Sequence, residues 1–143
     1  AKLDQHPKTL IHGDFRMDNM LFGQAPEHDA LLVVDFQGPL KGNGIHDVAY
    51  LLSHSAKTDV RREHERDLIE RYANGLITAG IKDYSVEKAW NDYRVGVLYS
   101  WTVAVVIAGT MDPANERGFA WMSKMVERNA LAINDLNCLD LLD

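Results

Sequence analysis

The sequence has a single cysteine, Cys138, among its 143 residues, so an intrachain disulfide is excluded. No histidine or further cysteine lies around it at the spacing of a zinc-binding motif. The polar N-terminal residues 1–6 lack the apolar core of a signal peptide. A reducing, cytoplasmic setting is therefore the expectation.

Long apolar runs and basic clusters are also missing. The longest apolar stretch, residues 95–109, spans about 15 residues, whereas roughly 20 are needed to cross a bilayer. With 15 basic and 21 acidic residues the net charge is -6, and no basic run is longer than Arg61-Arg62. Neither a membrane nor a nucleic acid is expected as a partner.

The apolar content is sufficient for one hydrophobic core. At 143 residues and 46% hydrophobic composition, a single domain over residues 1–143 is expected. Within it, Asp14 and Asn19 lie on an expected loop, and Asp35 directly follows the apolar run 30–34. A carboxylate at the end of such a run indicates a side chain presented to a ligand.

Two aspartates and an asparagine in this arrangement suit phosphoryl transfer. Such enzymes align an attacking hydroxyl with the terminal phosphate of a nucleotide and neutralise the phosphate oxygens with magnesium. Asp14 is expected to accept or orient the proton of the hydroxyl. Asn19 and Asp35 are expected to hold Mg²⁺, because this ion takes oxygen ligands and completes its shell with waters and phosphates.

Two motifs carry a family resemblance. Residues 12–14 (His-Gly-Asp) with Asn19, followed by residues 35–37 (Asp-Phe-Gln), resemble the catalytic and metal loops of the aminoglycoside phosphotransferase and choline kinase superfamily. This superfamily shares the protein-kinase fold. The Asp-Phe-Gln form is most similar to the branch that includes ecdysteroid-kinase-like proteins. The resemblance implies transfer of phosphate from ATP or GTP to a hydroxyl of a small-molecule acceptor.

Four neighbouring residues are also expected to support or adjoin the site, and the resemblance implies the role of the first. Asp47, within residues 44–49 that are similar to the family's next element, would brace the catalytic loop through backbone amides. His12 would be structural, packing and hydrogen-bonding beneath the loop. Arg16 and Gln37 would be neighbours of the site.

The hydrophobic pattern predicts a mainly α fold with one small β hairpin (α+β), similar to the C-terminal lobe of kinase-like proteins. Residues 20–22 and 30–34 would form the hairpin, with the second strand buried on both faces. The glycine-rich residues 38–44 would form a loop. The catalytic and metal loops would occupy residues 11–37 and a helical subdomain about 47–137, with helices over residues 47–55, 60–79, 85–108 and 114–136.

Aromatic residues recur at helical spacing along residues 85–108. Trp90, Tyr93 and Trp101 follow intervals that are typical of a stripe facing the core. The alternative places Tyr93, Trp101 or Trp121 on the wall of a substrate pocket, since kinases that resemble this chain bind acceptors against their C-terminal helices.

The sequence has no counterpart of the kinase N-terminal lobe, whose glycine-rich strands and strand lysine cover the nucleotide phosphates. We therefore expect the chain to be the C-terminal lobe of a longer phosphotransferase, with the missing N-terminal lobe as its partner. Alone, it would bind nucleotide weakly and turn over poorly. Self-association through the exposed lobe interface is a further expectation.

Two other functions are compatible with the sequence. A noncatalytic binding module would keep the kinase lobe only as a folded platform, and magnesium-dependent nucleotide binding distinguishes it from an enzyme. A metal hydrolase would use clustered histidines and aspartates and would bind zinc or manganese without nucleotide. The candidate ligands of such a cluster are His12, Asp14, Asp35, His46 and Asp47.

Overall fold

The computed structural model describes residues 8–112 and 114–142. It is 63% helical and 9% strand, which confirms the predicted mainly α fold with a small β hairpin. The helices are α1 (Ile45–Tyr50), α2 (Thr58–Thr78), α3 (Val86–Thr110) and α4 (Glu116–Asp135), with a π turn at Leu51–Ser55 and 3₁₀ turns at Met17–Asn19 and Cys138–Leu141.

The described strands form two separate two-stranded antiparallel sheets. Strand β2 (Met20–Phe22) pairs with β3 (Leu31–Val33), which is the predicted hairpin. Strand β1 (Thr9–Ile11) pairs with β4 (Leu40–Gly42). The second pairing corrects the prediction that residues 38–44 form only a loop. Position 42 of this strand favours glycine, because the Cβ of any larger residue would lie only 2.8 Å from the Ile11 side chain.

The apolar hairpin is exposed on both faces, so the prediction of burial for its second strand is wrong. Leu32 is 51% exposed and its cross-strand partner Leu21 54%. On the other face, Leu31 is 45% exposed and its partner Phe22 54%. A continuous apolar run indicates burial only where another segment covers it, and none of the described segments covers these side chains.

The hydrophobic core forms around α3, which contacts α1, α2 and α4. Helix α1 approaches α3 closely at Gly96, where an added Cβ would lie 2.8 Å from the Ala49 Cβ. Tyr93 is completely buried in this core, and Trp90 packs against it partly buried. A second, smaller cluster joins the C-terminal half of α3 to α4 through Ala104, Met122 and Met125.

Helix α3 is the most apolar of the three long helices. Its length and composition would allow it to cross a membrane, although the core helix of a soluble protein meets the same criterion. It packs against three other helices, and 28% of its most apolar window is buried. The expectation that the chain has no membrane partner stays a prediction.

A buried ion-pair network fastens α2 to α3 and α4. The Arg61 side chain is 1% exposed, and its Nη1 donates to Glu65 Oε2 at 2.7 Å. Its Nη2 pairs with Asp135 on α4. The Tyr93 hydroxyl of α3 donates to the same Glu65 oxygen at 2.8 Å. These contacts satisfy charges that would otherwise be costly to bury.

Substituting Arg61 by methionine is expected to lower the free energy of unfolding by about 3–5 kcal/mol, because the buried Glu65 carboxylate would lose its cationic partner. Urea denaturation followed by circular dichroism measures the change. Lys124→Met is the matched control, since it removes an exposed pair with Glu127 on α4 and should cost less than about 1 kcal/mol. Equal effects of the two substitutions would contradict the role of the network.

Candidate functional site

The loop between β1 and β2 brings Asp14 and Asn19 into direct contact. Asn19 lies in the 3₁₀ turn and is 6% exposed. Its Nδ2 donates to the Asp14 carbonyl oxygen at 2.9 Å and to Asp14 Oδ2 at 3.1 Å. Because both bonds use the amide nitrogen, Asn19 Oδ1 stays available to a cation.

Asp35 reaches the same site through the hairpin. The Val34 amide donates to the Asn19 carbonyl at 3.0 Å, which extends the β2–β3 pairing by one position and places Asp35 next to it. The Asp35 backbone is left-handed, with φ 67°, a conformation that aspartate adopts more readily than most residues. Its side chain is exposed and accepts no hydrogen bond within the described chain. The hairpin therefore leaves this carboxylate open to a ligand.

His12 connects the catalytic loop to the end of β3. The Asp14 amide donates to His12 Nδ1 at 3.3 Å, so Nδ1 is an acceptor and Nε2 carries the proton that is donated to the Val34 carbonyl at 2.9 Å. The imidazole packs against the Phe36 ring with centroids 4.5 Å apart. Because both ring nitrogens make hydrogen bonds, His12 fixes the loop that bears Asp14 to the end of the strand that precedes Asp35.

Asp47, which lies on α1, binds the first residues of the catalytic loop. Its Oδ2 accepts from the His12 amide at 2.7 Å and its Oδ1 from the Gly13 amide at 3.0 Å. Gly13 has φ 83°, and a Cβ there would lie 2.9 Å from the Gly38 carbonyl oxygen. Glycine is therefore required at this position by both backbone conformation and space. These are the contacts that the resemblance implies for Asp47.

Of the two residues predicted to adjoin the site, Arg16 lies against Asp14, whereas Gln37 makes no hydrogen bond with the other site residues in the described chain. Arg16 Nε lies 3.2 Å from Asp14 Oδ2, and the guanidinium lies over the Trp121 ring of α4 at 5.1 Å. Trp121 thus contacts the catalytic loop through Arg16, whereas the placement of an aromatic residue on the wall of a substrate pocket stays a prediction. The Gln37 side chain is exposed.

Tyr50 belongs to the site, although the sequence analysis did not single it out. It is 8% exposed and lies on α1, three positions after Asp47. Burial, and then the charge of Asp14 and a hydrogen bond with it, raise the pKa of Tyr50 well above its usual range. The available signal was its spacing from Asp47, because residues three apart share one face of a helix.

A cavity of about 380 Å³ lies beside the catalytic loop, between β1, β4, α1 and α3. Gly13, Asp47 and Tyr50 form the part of its wall that is shared with the loop. The remaining wall is mostly apolar and aromatic and includes Ile11, Leu40, Tyr99 and Val103. Its size is within the usual range for small-molecule pockets.

His46 gives this cavity a neutral polar group. Its ring lies 5.1 Å from the Tyr99 ring in an edge-on contact. Burial lowers the pKa of His46, and the nearby carboxylates of Asp47 and Asp92 oppose this only in part. The imidazole is therefore neutral near pH 7. The cavity offers aromatic and apolar surface rather than a charged one.

The residues present fit a magnesium ion better than the metal centre of a hydrolase. Asn19 Oδ1 and the Asp35 carboxylate are hard oxygen donors of the kind that magnesium takes, and the two residues lie at one end of the hairpin. In contrast, both His12 nitrogens and both Asp47 oxygens are occupied by hydrogen bonds. No three His, Cys, Asp or Glu side chains of residues 8–112 and 114–142 are grouped as metal ligands.

A helical lobe that presents these loops on a small hairpin is a kinase-like phosphotransferase fold. The ecdysteroid kinase-like family model matches residues 2–82, which is more than half of the chain. The chain belongs to this family, as the resemblance of its motifs predicted. No curated protein and no solved structure matches the chain.

Replacing Asp47 by asparagine is expected to loosen the catalytic loop, because an amide nitrogen would face a backbone amide that needs an acceptor. The exchange rates of the His12 and Gly13 amide protons should rise by about tenfold or more, as measured by NMR. Asp18→Asn, an exposed substitution in the same loop, is the control. Unchanged protection of both amides in Asp47→Asn would contradict the bracing contact.

Beneath the site, the π turn carries a second buried histidine. His54 is 5% exposed, and its ring packs edge-on against Tyr50 with centroids 4.3 Å apart. Burial lowers the pKa of His54 to about 4, and neither ring nitrogen has a hydrogen-bond partner in the described chain. The folded protein therefore resists protonation of this ring.

This burial predicts acid destabilisation. Between pH 6.5 and about 4 the unfolded chain binds a proton at His54 that the folded chain does not, so the free energy of unfolding should fall as the pH drops. The limit is about 1.4 kcal/mol per pH unit. Urea titrations across this range should show a shallower slope for His54→Leu than for wild type. The same slope in both proteins, with His64→Leu as the exposed control, would exclude His54 as the cause.

Proposed function

We propose that this chain is the catalytic lobe of a small-molecule kinase, which transfers the terminal phosphate of ATP or GTP to a hydroxyl of its acceptor. One observation carries the proposal. Asn19 is hydrogen-bonded to the Asp14 carboxylate, and the hairpin that starts at Asn19 brings Asp35 to the same end of the lobe. A base and two hard oxygen ligands are the groups that this chemistry requires.

In the proposed reaction, Asp14 orients the acceptor hydroxyl. As the hydroxyl oxygen bonds to the γ-phosphorus, the bond to the bridging oxygen breaks and the nucleoside diphosphate leaves. The hydroxyl proton passes to the Asp14 carboxylate. Asn19 keeps this carboxylate in place through its amide nitrogen, so that alignment rather than strong basicity supplies most of the rate.

Asn19 Oδ1 and Asp35 would hold the metal ion, which we propose to be magnesium. When bound, Mg²⁺ neutralises charge on the nucleotide phosphates. The two polar atoms of the Asn19 side chain have different roles, because the nitrogen is hydrogen-bonded to Asp14 and the oxygen is left for the ion. Asp35, exposed at the end of β3, completes the protein's part of the ion's coordination shell.

Arg16 supplies positive charge beside the reacting groups. Its guanidinium is held between Asp14 and the Trp121 ring, and its Nη atoms donate no hydrogen bond within the described chain. Arginine in such a position stabilises the charge on a transferring phosphoryl group. We propose that it contacts the terminal phosphate.

The cavity beside the catalytic loop supports a neutral acceptor with a largely apolar body. The wall shared with the loop includes Tyr50 and Asp47. His46 is neutral, and the Asp47 carboxylate accepts hydrogen bonds from two backbone amides, so most of the cavity wall is uncharged. An alcohol bound there would direct its hydroxyl toward Asp14.

The exposed hairpin fits the need for a second lobe. Four large apolar side chains of β2 and β3 are about half exposed beside Asn19 and Asp35. We propose that the N-terminal lobe of the same protein covers this surface and completes the nucleotide site, in the cytoplasm. A chain without that lobe would bind nucleotide weakly and would tend to self-associate through the same surface.

Titration calorimetry of the purified chain with ATP, with and without magnesium, tests the proposal. Wild type should show binding that depends on magnesium. Asp35→Ala should weaken that binding by about tenfold or more, equivalent to roughly 1.4 kcal/mol, because the ion would lose a carboxylate ligand. Asp29→Ala, an exposed substitution in the turn between β2 and β3, is the control and should bind like wild type.

The other outcomes identify the competing functions. No binding by wild type in either condition would contradict a nucleotide site and favour a kinase-lobe remnant that acts as a noncatalytic binding module. Binding of ATP that is equal in wild type and Asp35→Ala would contradict the proposed metal ligand. The same titration with GTP determines the nucleotide preference.

A further inference from the structure

One face of α4 holds two successive residues of the catalytic loop. Trp121 and Arg128 lie seven positions apart on this helix, which is about two turns and places them on the same face. The Arg16 guanidinium lies over the Trp121 ring, with its carbon 5.1 Å from the ring centroid. Arg128 Nη1 donates to the Ser55 carbonyl oxygen at 2.8 Å, and Ser55 Oγ accepts from the Met17 amide at 3.1 Å. Helix α4 therefore fixes the loop directly at Arg16 and, through Ser55, at Met17.

No hydrogen bond within the described chain fixes the Arg16 guanidinium. Its Nε is buried and lies 3.2 Å from Asp14 Oδ2, but the contact lacks the geometry of a hydrogen bond. The Nη atoms donate none either. Pairs of guanidinium and carboxylate are frequently bidentate, with two parallel hydrogen bonds. Arg16 and Asp14 are therefore paired less fully than their chemistry allows, and the Trp121 ring is the surface that limits where the guanidinium lies.

The Trp121 ring is itself held by packing. It is partly buried against the second, smaller cluster that joins α3 to α4. The other partly buried side chains packed there are Trp101, Ile107, Met111 and Val126. The face of a planar guanidinium carries no donor, because its N–H groups point outward in the plane. Contact with the ring therefore fixes the Arg16 guanidinium and leaves its Nη donors available to a ligand.

We propose that Trp121 is a positioning residue for Arg16, which keeps the guanidinium from closing fully on Asp14 and so leaves it ready to bind the terminal phosphate. The inference rests on the proposed phosphotransferase function. Trp121 itself neither binds the nucleotide nor exchanges a proton. Without the ring, the guanidinium would turn toward the Asp14 carboxylate and would be less available to the phosphate. Trp121 thereby supports the preference of the site for a nucleoside triphosphate over a diphosphate.

The test is titration calorimetry with ATP and with ADP, in the presence of magnesium, on the longest natural form of the protein that contains this chain. The measured quantity is the ratio of the Kd for ADP to the Kd for ATP. Trp121→Leu should lower this ratio by about fivefold or more, because a charged hydrogen-bonding contact with the terminal phosphate is weakened. Trp121→Phe keeps an aromatic face for the guanidinium and should retain most of the ratio.

A double-mutant cycle separates positioning from a merely structural role. Arg16→Met should lower the ratio by itself, since the guanidinium is then absent. Adding Trp121→Leu to Arg16→Met should lower it no further, because the ring has no guanidinium left to hold. A tryptophan that acts only through packing would lower the ratio by the same factor in both backgrounds, which would overturn the inference.

Trp90→Leu is the matched control. The Arg66 guanidinium lies over the Trp90 ring at 4.6 Å, and Trp90 is also partly buried. The substitution therefore removes the same kind of contact away from the catalytic loop. It should reduce stability and leave the ratio of the two Kd values as in wild type.

The failures of the two claims are distinguishable. A wild type that binds no nucleotide with magnesium would overturn the proposed function and this inference with it. A wild type that binds ATP no more tightly than ADP would overturn the proposed contact of Arg16 with the terminal phosphate, and this inference also. A preference for ATP that is unchanged in Trp121→Leu would overturn this inference alone. An equal loss of preference in Trp90→Leu would assign the effect to folding and also overturn it.

Discussion

The site depends first on the carboxylate of Asp47, which binds the backbone amides of His12 and Gly13. A loop that changes direction at a left-handed glycine exposes amides that no regular strand can pair, and an unpaired amide costs about 1–3 kcal/mol once it is buried. Asp47 satisfies two of them from the first turn of α1. Its own helix packs on the core helix α3 at Gly96. The position of the catalytic loop is thus set by the packing of two helices.

Further hydrogen bonds and ring contacts position the other groups of the site relative to this loop. The two ring nitrogens of His12 are hydrogen-bonded to the Asp14 amide and to the Val34 carbonyl. The loop that bears Asp14 is therefore fixed to the strand that precedes Asp35. Asn19 begins the hairpin and binds Asp14 at the same time. On the opposite side, α4 contacts the loop through Trp121 and the π turn through Arg128. The geometry of the candidate site is therefore supported by α1, α3 and α4, and the Arg61 network joins α2 to the rest of the helices.

Local signals were sufficient for the helices, the hairpin and the spacing of Asp14, Asn19 and Asp35, because each depends on residues that are near in sequence. The β1–β4 pairing was not predicted, since it joins distant segments and its glycine-rich strand has the composition of a loop. Tyr50 was missed because its place in the wall of the cavity depends on how α1 is rotated against the loop. The exposure of the hairpin was also missed, since an apolar run does not report which segment covers it.

The central claim is that Asn19 and Asp35 hold the ion that accompanies the nucleotide. Paramagnetic broadening of NMR signals by Mn²⁺ tests it most directly, because manganese takes the same oxygen ligands as magnesium and broadens only nearby signals. With ATP present, the account predicts that the signals of Asn19 and Asp35 broaden first, and that this requires the nucleotide. Strongest broadening at His46 and Asp47, or equal broadening without ATP, would contradict the account.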